Sequence, residues 1–120
     1  MKILLVDDDA FLRDMYATKF KESGHEVAVM EDGMSALGYL EENAPDVVLL
    51  DMVMPGLDGV AFLEKATKLQ KVSNTKFVVL SNQGEETDKT RASAAGACGY
   101  ITKAESIPSE VVAQVEAMMK

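Results

Sequence analysis

Cysteine, histidine and positive charge are all scarce in this chain. Cys98 is the only cysteine, so no intrachain disulfide can form and a reducing, cytoplasmic setting is expected. His25 is the only histidine; it opens an apolar run after Gly24, where a surface role fits it better than catalysis. Lys and Arg number 12 against 20 Asp and Glu, a formal net charge of -8. A nucleic-acid surface needs a clustered basic footprint to displace counterions, so direct nucleic-acid contact is not expected. The acidic balance suits a cation site or a basic partner. No apolar stretch approaches the length of a membrane span, and no signal-peptide pattern opens the chain. No glycine-rich loop follows the first apolar run, which disfavours dinucleotide binding. Linkers, repeats and low-complexity stretches are also missing. With 120 residues, 48% hydrophobic and 27% charged, residues 1–120 read as one soluble globular domain without room for a second.

Apolar runs alternate with helical patterns from end to end. Candidate strands are 2–6, 25–30, 46–50, 76–80 and 99–102; candidate helices are 10–23, 33–43, 58–71, 85–96 and 107–119. Ile3–Val6, Val47–Leu50 and Phe77–Leu80 are continuously apolar, as strands buried on both faces of a parallel sheet are. Val27–Met30 is similar but flanked by charge, which places it toward an edge. Gly24 and Pro45 end the first two helices, and Pro108 suits a first helical turn. The fourth helical segment has almost no large apolar residue and should be the least firmly anchored. Alternating βα units imply right-handed crossovers and a doubly wound α/β sheet, whose ligands bind beyond the carboxyl ends of the strands.

The chemistry collects at those ends. Asp7-Asp8-Asp9 follows the first run directly, a placement in which like charges repel unless something offsets them. A divalent cation is the simplest offset, since Mg²⁺ is commonly held by one or two carboxylates with water and phosphate. Aspartates also cap helices, and a helix opens just beyond. The third run ends in Asp51 before a turn-rich segment, the fourth in Ser81, and Lys103 lies just past the fifth, which carries Tyr100. Each alone reads as a cap, a turn residue or a solvated charge. Together they supply carboxylates, a hydroxyl and an ammonium, the set that phosphoryl transfer to an aspartate requires.

In that order and spacing, Ile3–Asp9, Leu50–Gly59, Ser81 and Gly96–Lys103 resemble the receiver domains of two-component response regulators, over essentially the whole chain. The resemblance implies a flavodoxin-like fold, one five-stranded parallel sheet of order 2-1-3-4-5 flanked by five helices. It implies Asp51 as phosphoacceptor and Asp7 and Asp8 as the acidic pair. Mg²⁺ would be ligated by Asp8, Asp51 and the Val53 carbonyl, with Asp7 acting chiefly through water; Asp9, one step further on, is expected to cap the first helix or face solvent. Ser81 and Lys103 would each contact a phosphoryl oxygen, and Tyr100 would be the aromatic switch that moves inward. The implied partners are a sensor histidine kinase or phosphotransfer protein and a downstream protein target, or an output domain outside this chain. The only catalysis implied is of the chain's own phosphorylation and dephosphorylation, which switches a face built from the fourth helix, fifth strand and fifth helix.

Three positions depart from the family pattern. Ala104 follows Lys103 where proline is usual, which opens the question of how Lys103 is aimed. Asn82, with Gln83 beyond, replaces a small residue after Ser81, and these amides can crowd a phosphoryl group or hold an attacking water. Val53 is apolar where many relatives are polar, at no cost to a carbonyl ligand. Cys98 reads as a small packing residue and Glu85-Glu86 as a solvated helix start. The alternatives are a pseudo-receiver that only binds, and a haloacid-dehalogenase-type phosphohydrolase. The latter wants a second aspartate at the position of Val53 and a cap domain.

Overall fold

The computed structural model describes residues 1–82 and 84–120. The strands β1 (Lys2–Val6), β2 (Glu26–Met30), β3 (Val47–Leu50), β4 (Lys76–Ser81) and β5 (Gly99–Thr102) alternate with five helices. These are α1 (Ala10–Glu22), α2 (Gly33–Glu42), α3 (Gly59–Ala66), α4 (Glu86–Ala95) and α5 (Pro108–Met118). Neighbouring strands pair in parallel in the order β2-β1-β3-β4-β5, with Val6 opposite Leu50 and Ser81 opposite Thr102. This is the doubly wound sheet the continuous apolar runs require, because strands buried on both faces need helices on both faces.

Alternate side chains of each strand feed two cores. On one face Leu4, Val6, Val48, Leu50 and Val79 meet Ala36 and Leu40 of α2 and Phe62 and Leu63 of α3. On the other, Ile3, Leu5, Leu49, Val78 and Leu80 meet Tyr16 and Phe20 of α1 and Val111 and Val115 of α5. The fourth helix buries Ala92 alone, in keeping with its apolar-poor sequence. Among the described residues no helix is long and apolar enough to cross a membrane.

Local chemistry moves several boundaries. The third helix stops at Ala66 rather than 71: the last turn tightens to bonds from the Lys68 N–H to the Lys65 carbonyl (3.4 Å) and the Leu69 N–H to the Ala66 carbonyl (3.1 Å), Leu69 is extended, and a short 3-10 turn, Gln70–Val72, follows. Asp46 lies outside β3, where its carboxylate accepts from the Lys2 N–H at 2.7 Å. His25 precedes β2 and is more than a surface residue: its Nε2 lies 2.8 Å from Glu116 Oε2, and its ring leans on Phe20. Cys98 is exposed, against the packing role expected of it.

Candidate functional site

The parallel register brings the ends of β1, β3, β4 and β5 to one edge. Asp7 and Asp51 each sit one residue past the paired Val6 and Leu50, and Lys103 follows Thr102, the partner of Ser81. Backbone bonds hold both strand ends: Asp7 N–H donates to the Met30 carbonyl (3.1 Å) and Asp51 N–H to the Val6 carbonyl (3.3 Å). A cleft of about 330 Å³ opens there, lined by Asp7, Asp8, Asp51, Val53, Ser81 and Lys103 among others.

The opening aspartates divide three ways. Asp7 is buried; its Oδ2 accepts from Lys103 Nζ at 2.7 Å and its Oδ1 from the Asp9 N–H at 3.0 Å. Asp8 is exposed and forms no ion pair among the described residues. Asp9 caps α1, accepting from the Leu12 N–H at 3.1 Å, as the capping reading expects. A carboxylate oxygen from each of Asp7, Asp8 and Asp51 lies within 4.8 Å of the other two, a spacing at which one cation can be shared. Three carboxylates face a single ammonium, so the cluster is left with a net negative charge that a divalent ion would offset.

Asp51 is 8% exposed. Its Oδ2 accepts from Lys103 Nζ at 3.2 Å and its Oδ1 from the Val53 N–H at 3.2 Å. The turn after it needs glycine at 59. A Cβ there would lie 2.7 Å from both the Asp51 carbonyl oxygen and Met52 Cα, and the Gly59 N–H closes the turn on the Met52 carbonyl (2.9 Å). Asp58 then caps α3 through the Ala61 N–H (2.8 Å). Val53 is left 62% exposed at the cleft wall.

Lys103 answers the question Ala104 raised. It opens a 3-10 turn, Lys103–Glu105, with no cis peptide bond among the described residues, and its ammonium still reaches both buried carboxylates. Beyond the turn, Gln114 holds the Ser106 hydroxyl (3.0 Å) and Glu110 accepts from the Ile107 N–H (3.0 Å). Burial alone would lower the Lys103 pKa; the Asp7 hydrogen bond and the charges of Asp51 and Asp7 outweigh it, and the pKa is raised.

Ser81 is buried at the end of β4. Tyr100 is half-buried against the α3 face of the core, with Lys89 Nζ 6.0 Å from its ring centroid. Burial pushes its phenol up, and a hydrogen bond with Ser81 pulls the other way. The two expected switch residues therefore lie within reach of each other. Asn82 lies on the cleft wall; Gln83 falls outside the described residues.

Two residues near the site were not singled out from the sequence. Arg13 Nη1 donates to the Asp7 carbonyl at 2.9 Å, bracing the turn that carries Asp8. Tyr16 is buried between α1 and the sheet, close enough to Lys103 and Asp7 to feel both charges. A signal was present for it: Leu12, Tyr16 and Phe20 recur every four residues on the buried face of α1, and only the middle one carries a hydroxyl.

The comparisons with known proteins agree with this fold. The family described as the response regulator receiver domain matches residues 3–116. The phosphate regulon transcriptional regulatory protein PhoB of Escherichia coli (strain K12) is 36% identical over 119 residues, 99% of this chain but 52% of that protein. The chain thus spans about half the length of the curated relatives it matches. Among solved structures, the Francisella response regulator 1452 receiver domain superposes with a TM-score of 0.87 at 31% identity, covering 98% of this chain and 95% of that one. Vibrio cholerae chemotaxis protein CheY4 gives a TM-score of 0.91 at 26% identity, covering 98% and 97%. With the family matched from the first strand to the last helix, this chain belongs to the receiver domains of two-component response regulators.

Proposed function

We propose that residues 1–120 act as one receiver module in which Asp51 accepts a phosphoryl group. The donor is a phosphohistidine of a sensor histidine kinase or phosphotransfer protein, or a small phosphodonor. A carboxylate oxygen of Asp51 attacks phosphorus; the O–P bond forms as the P–N bond breaks, and the imidazole leaves with the electron pair and is protonated. The observation that carries this reading is Lys103, whose buried ammonium bridges Asp7 and Asp51 in the wall of the cleft.

Each residue has a stated task. Lys103 holds the Asp51 oxygen in place and offers positive charge to the equatorial phosphoryl oxygens as charge develops there. Ser81 would turn its one O–H donor to a phosphoryl oxygen, since a hydroxyl has one donor and two acceptor sites. Asp7, Asp8, Asp51 and the Val53 carbonyl are the residues that would hold Mg²⁺, which when bound supplies neutralisation of the acidic cluster and of the transferred group. Their fit rests on the mutual spacing of the three carboxylates and on Asp8 being free to turn inward. Recruitment of Ser81 by the phosphoryl group changes its bond to Tyr100, and the change is read on the α4–β5–α5 face.

The catalysis proposed is limited to the chain's own phosphorylation and dephosphorylation. Downstream lies a protein target, or an output domain in a longer chain, as the half-length coverage of PhoB suggests. A cytoplasmic site of action suits the lone exposed thiol of Cys98.

Incubation with acetyl phosphate or phosphoramidate, followed by intact-mass measurement, tests the reading. Wild type with Mg²⁺ should take up one phosphoryl group and stall, whereas Asp51→Asn and metal-free wild type should not. Uptake that needs neither Asp51 nor Mg²⁺ would refute it. Sustained turnover of phosphate esters would point instead to the phosphohydrolase alternative.

A further inference from the structure

Among the described residues, Tyr16 is the one buried titratable group beside the cleft that has no part in the proposed transfer. The residue is 3% exposed, wedged between α1 and the sheet. Its hydroxyl makes no hydrogen bond with any described residue, yet among those residues no fully buried side-chain polar atom lacks a partner. The hydroxyl must therefore meet open space. That space is a cavity of about 510 Å³ whose wall includes Tyr16, Lys103, Asn82 and Ala104.

Lys103 presents the complementary deficit. An ammonium has three N–H donors. Two are taken, by Asp7 Oδ2 at 2.7 Å and Asp51 Oδ2 at 3.2 Å, and no third acceptor is bonded to it among the described residues. Its backbone gives little further restraint: the turn it opens is closed by a Ser106 N–H to Lys103 carbonyl bond of 3.4 Å, near the limit for such a bond. A buried ammonium with an unused donor and a buried phenol with an unused hydroxyl thus share the wall of one cavity that is polar enough and large enough for water.

We propose that Tyr16 is a positioning residue for Lys103: one water in this cavity accepts the third ammonium N–H and hydrogen-bonds the Tyr16 hydroxyl, fixing Lys103 against Asp51. Such a bridge is enthalpically nearly as good as a direct bond. The phenol stays neutral and able to donate, since burial pushes its pKa up, with the Lys103 charge pulling down and the Asp7 charge adding to the rise. The proposal deepens the phosphoacceptor reading and rests on it for its functional consequence, but not for the contact itself.

The test uses Tyr16→Phe, which keeps the ring and removes only the oxygen, and Tyr16→Leu, which keeps an apolar side chain. In ¹⁵N-labelled full chain, the Lys103 ammonium protons should exchange with solvent about three- to tenfold faster in both variants, the range one lost hydrogen bond gives. Phosphoryl uptake from acetyl phosphate at saturating donor should slow by a similar factor, with the half-saturating donor concentration unchanged. A structural role for the ring would leave the ammonium exchange of Tyr16→Phe at the wild-type rate, and that result overturns the proposal. So does slowed uptake with unaltered ammonium exchange, or a Tyr16→Leu chain that matches wild type in both measurements. If wild type takes up no phosphoryl group, the phosphoacceptor reading fails by itself, and the ammonium exchange still decides the contact.

Discussion

The two sides of the sheet's carboxyl edge are built differently. Around β1 and β3, with Lys103 reaching in from beyond β5, each buried charged group of the cleft is tied down: Asp7 by Lys103 and the Asp9 N–H, Asp51 by Lys103 and the Val53 N–H, Lys103 by both acids. The helices that close this side are capped and anchored. Asp9 caps α1, which buries Tyr16, Ala17 and Phe20, and Asp58 caps α3, which buries Phe62 and Leu63. Beyond β4 stands α4, whose N-cap Glu85 makes no side-chain cap bond and whose only buried residue is Ala92. A buried Phe or Leu contributes about 1.5–3 kcal/mol and a cap about 1 kcal/mol, so α4 is held by a small fraction of what holds its neighbours. The difference teaches where a receiver can afford to move. Chemistry that depends on sub-ångström placement sits on the fixed side, while Ser81 and Tyr100 lie on the seam with the loose one.

The contrast breaks most severely at Lys103. Replacing it by Met leaves Asp7 and Asp51 buried without a counter-charge, and urea unfolding at neutral pH should show a loss of about 3–5 kcal/mol. The pH dependence follows from the raised pKa. The native state binds the Lys103 proton more tightly than the unfolded chain, so this stabilisation is fully present below the ordinary lysine value of 10.5 and is lost as pH rises through the higher native one. Wild type should therefore lose stability above that value in a component that Lys103→Met lacks. An unchanged alkaline limb would contradict the buried bridge.

Next in size is Gly59→Ala. Its methyl group would meet the backbone of Asp51 and Met52 at 2.7 Å, neither of which can rotate away. A cost of about 1–3 kcal/mol is expected, with slower phosphoryl uptake because Asp51 moves with the turn. Asp9→Ala should cost about 1 kcal/mol through the lost cap and leave Mg²⁺ affinity by calorimetry nearly unchanged. Asp8→Ala should do the reverse, weakening Mg²⁺ markedly at little cost in stability. Equal effects of the two would erase the division among the opening aspartates. Smallest is Ser93→Ala on the exposed face of α4. It should stabilise that helix by up to about 0.5 kcal/mol and slow amide exchange across residues 86–95 without touching β1 or β3.

Much of the fixed side could be read from residue order alone. Ile3–Val6 and Val47–Leu50 are apolar without interruption, which demands a sheet covered on both faces, and an aspartate directly after each has nowhere to lie but the sheet edge. The expected strand order and the fourth helix's weak anchoring match the structure. Part of what escaped the sequence depends on contacts between distant residues. The pairing of His25 with Glu116 spans 91 positions, whereas the early stop of α3 is a local event, a last turn that tightens before the extended Leu69. Exposure of Cys98 follows from its place in the short α4–β5 connection, where small neighbours leave it uncovered. Tyr16 was hidden for a different reason: in a stripe of apolar positions, a tyrosine reads as core until the cavity beside its hydroxyl is seen.

The most direct test is hydrogen–deuterium exchange on the full chain, with and without Mg²⁺ and beryllofluoride as a phosphoryl mimic. Exchange should change across α4 and β5, from Glu86 to Thr102, while the amides of β1 and β3 keep their protection. Equal change on both sides, or change confined to β1 and β3, would contradict the division into a fixed chemical side and a yielding signalling one.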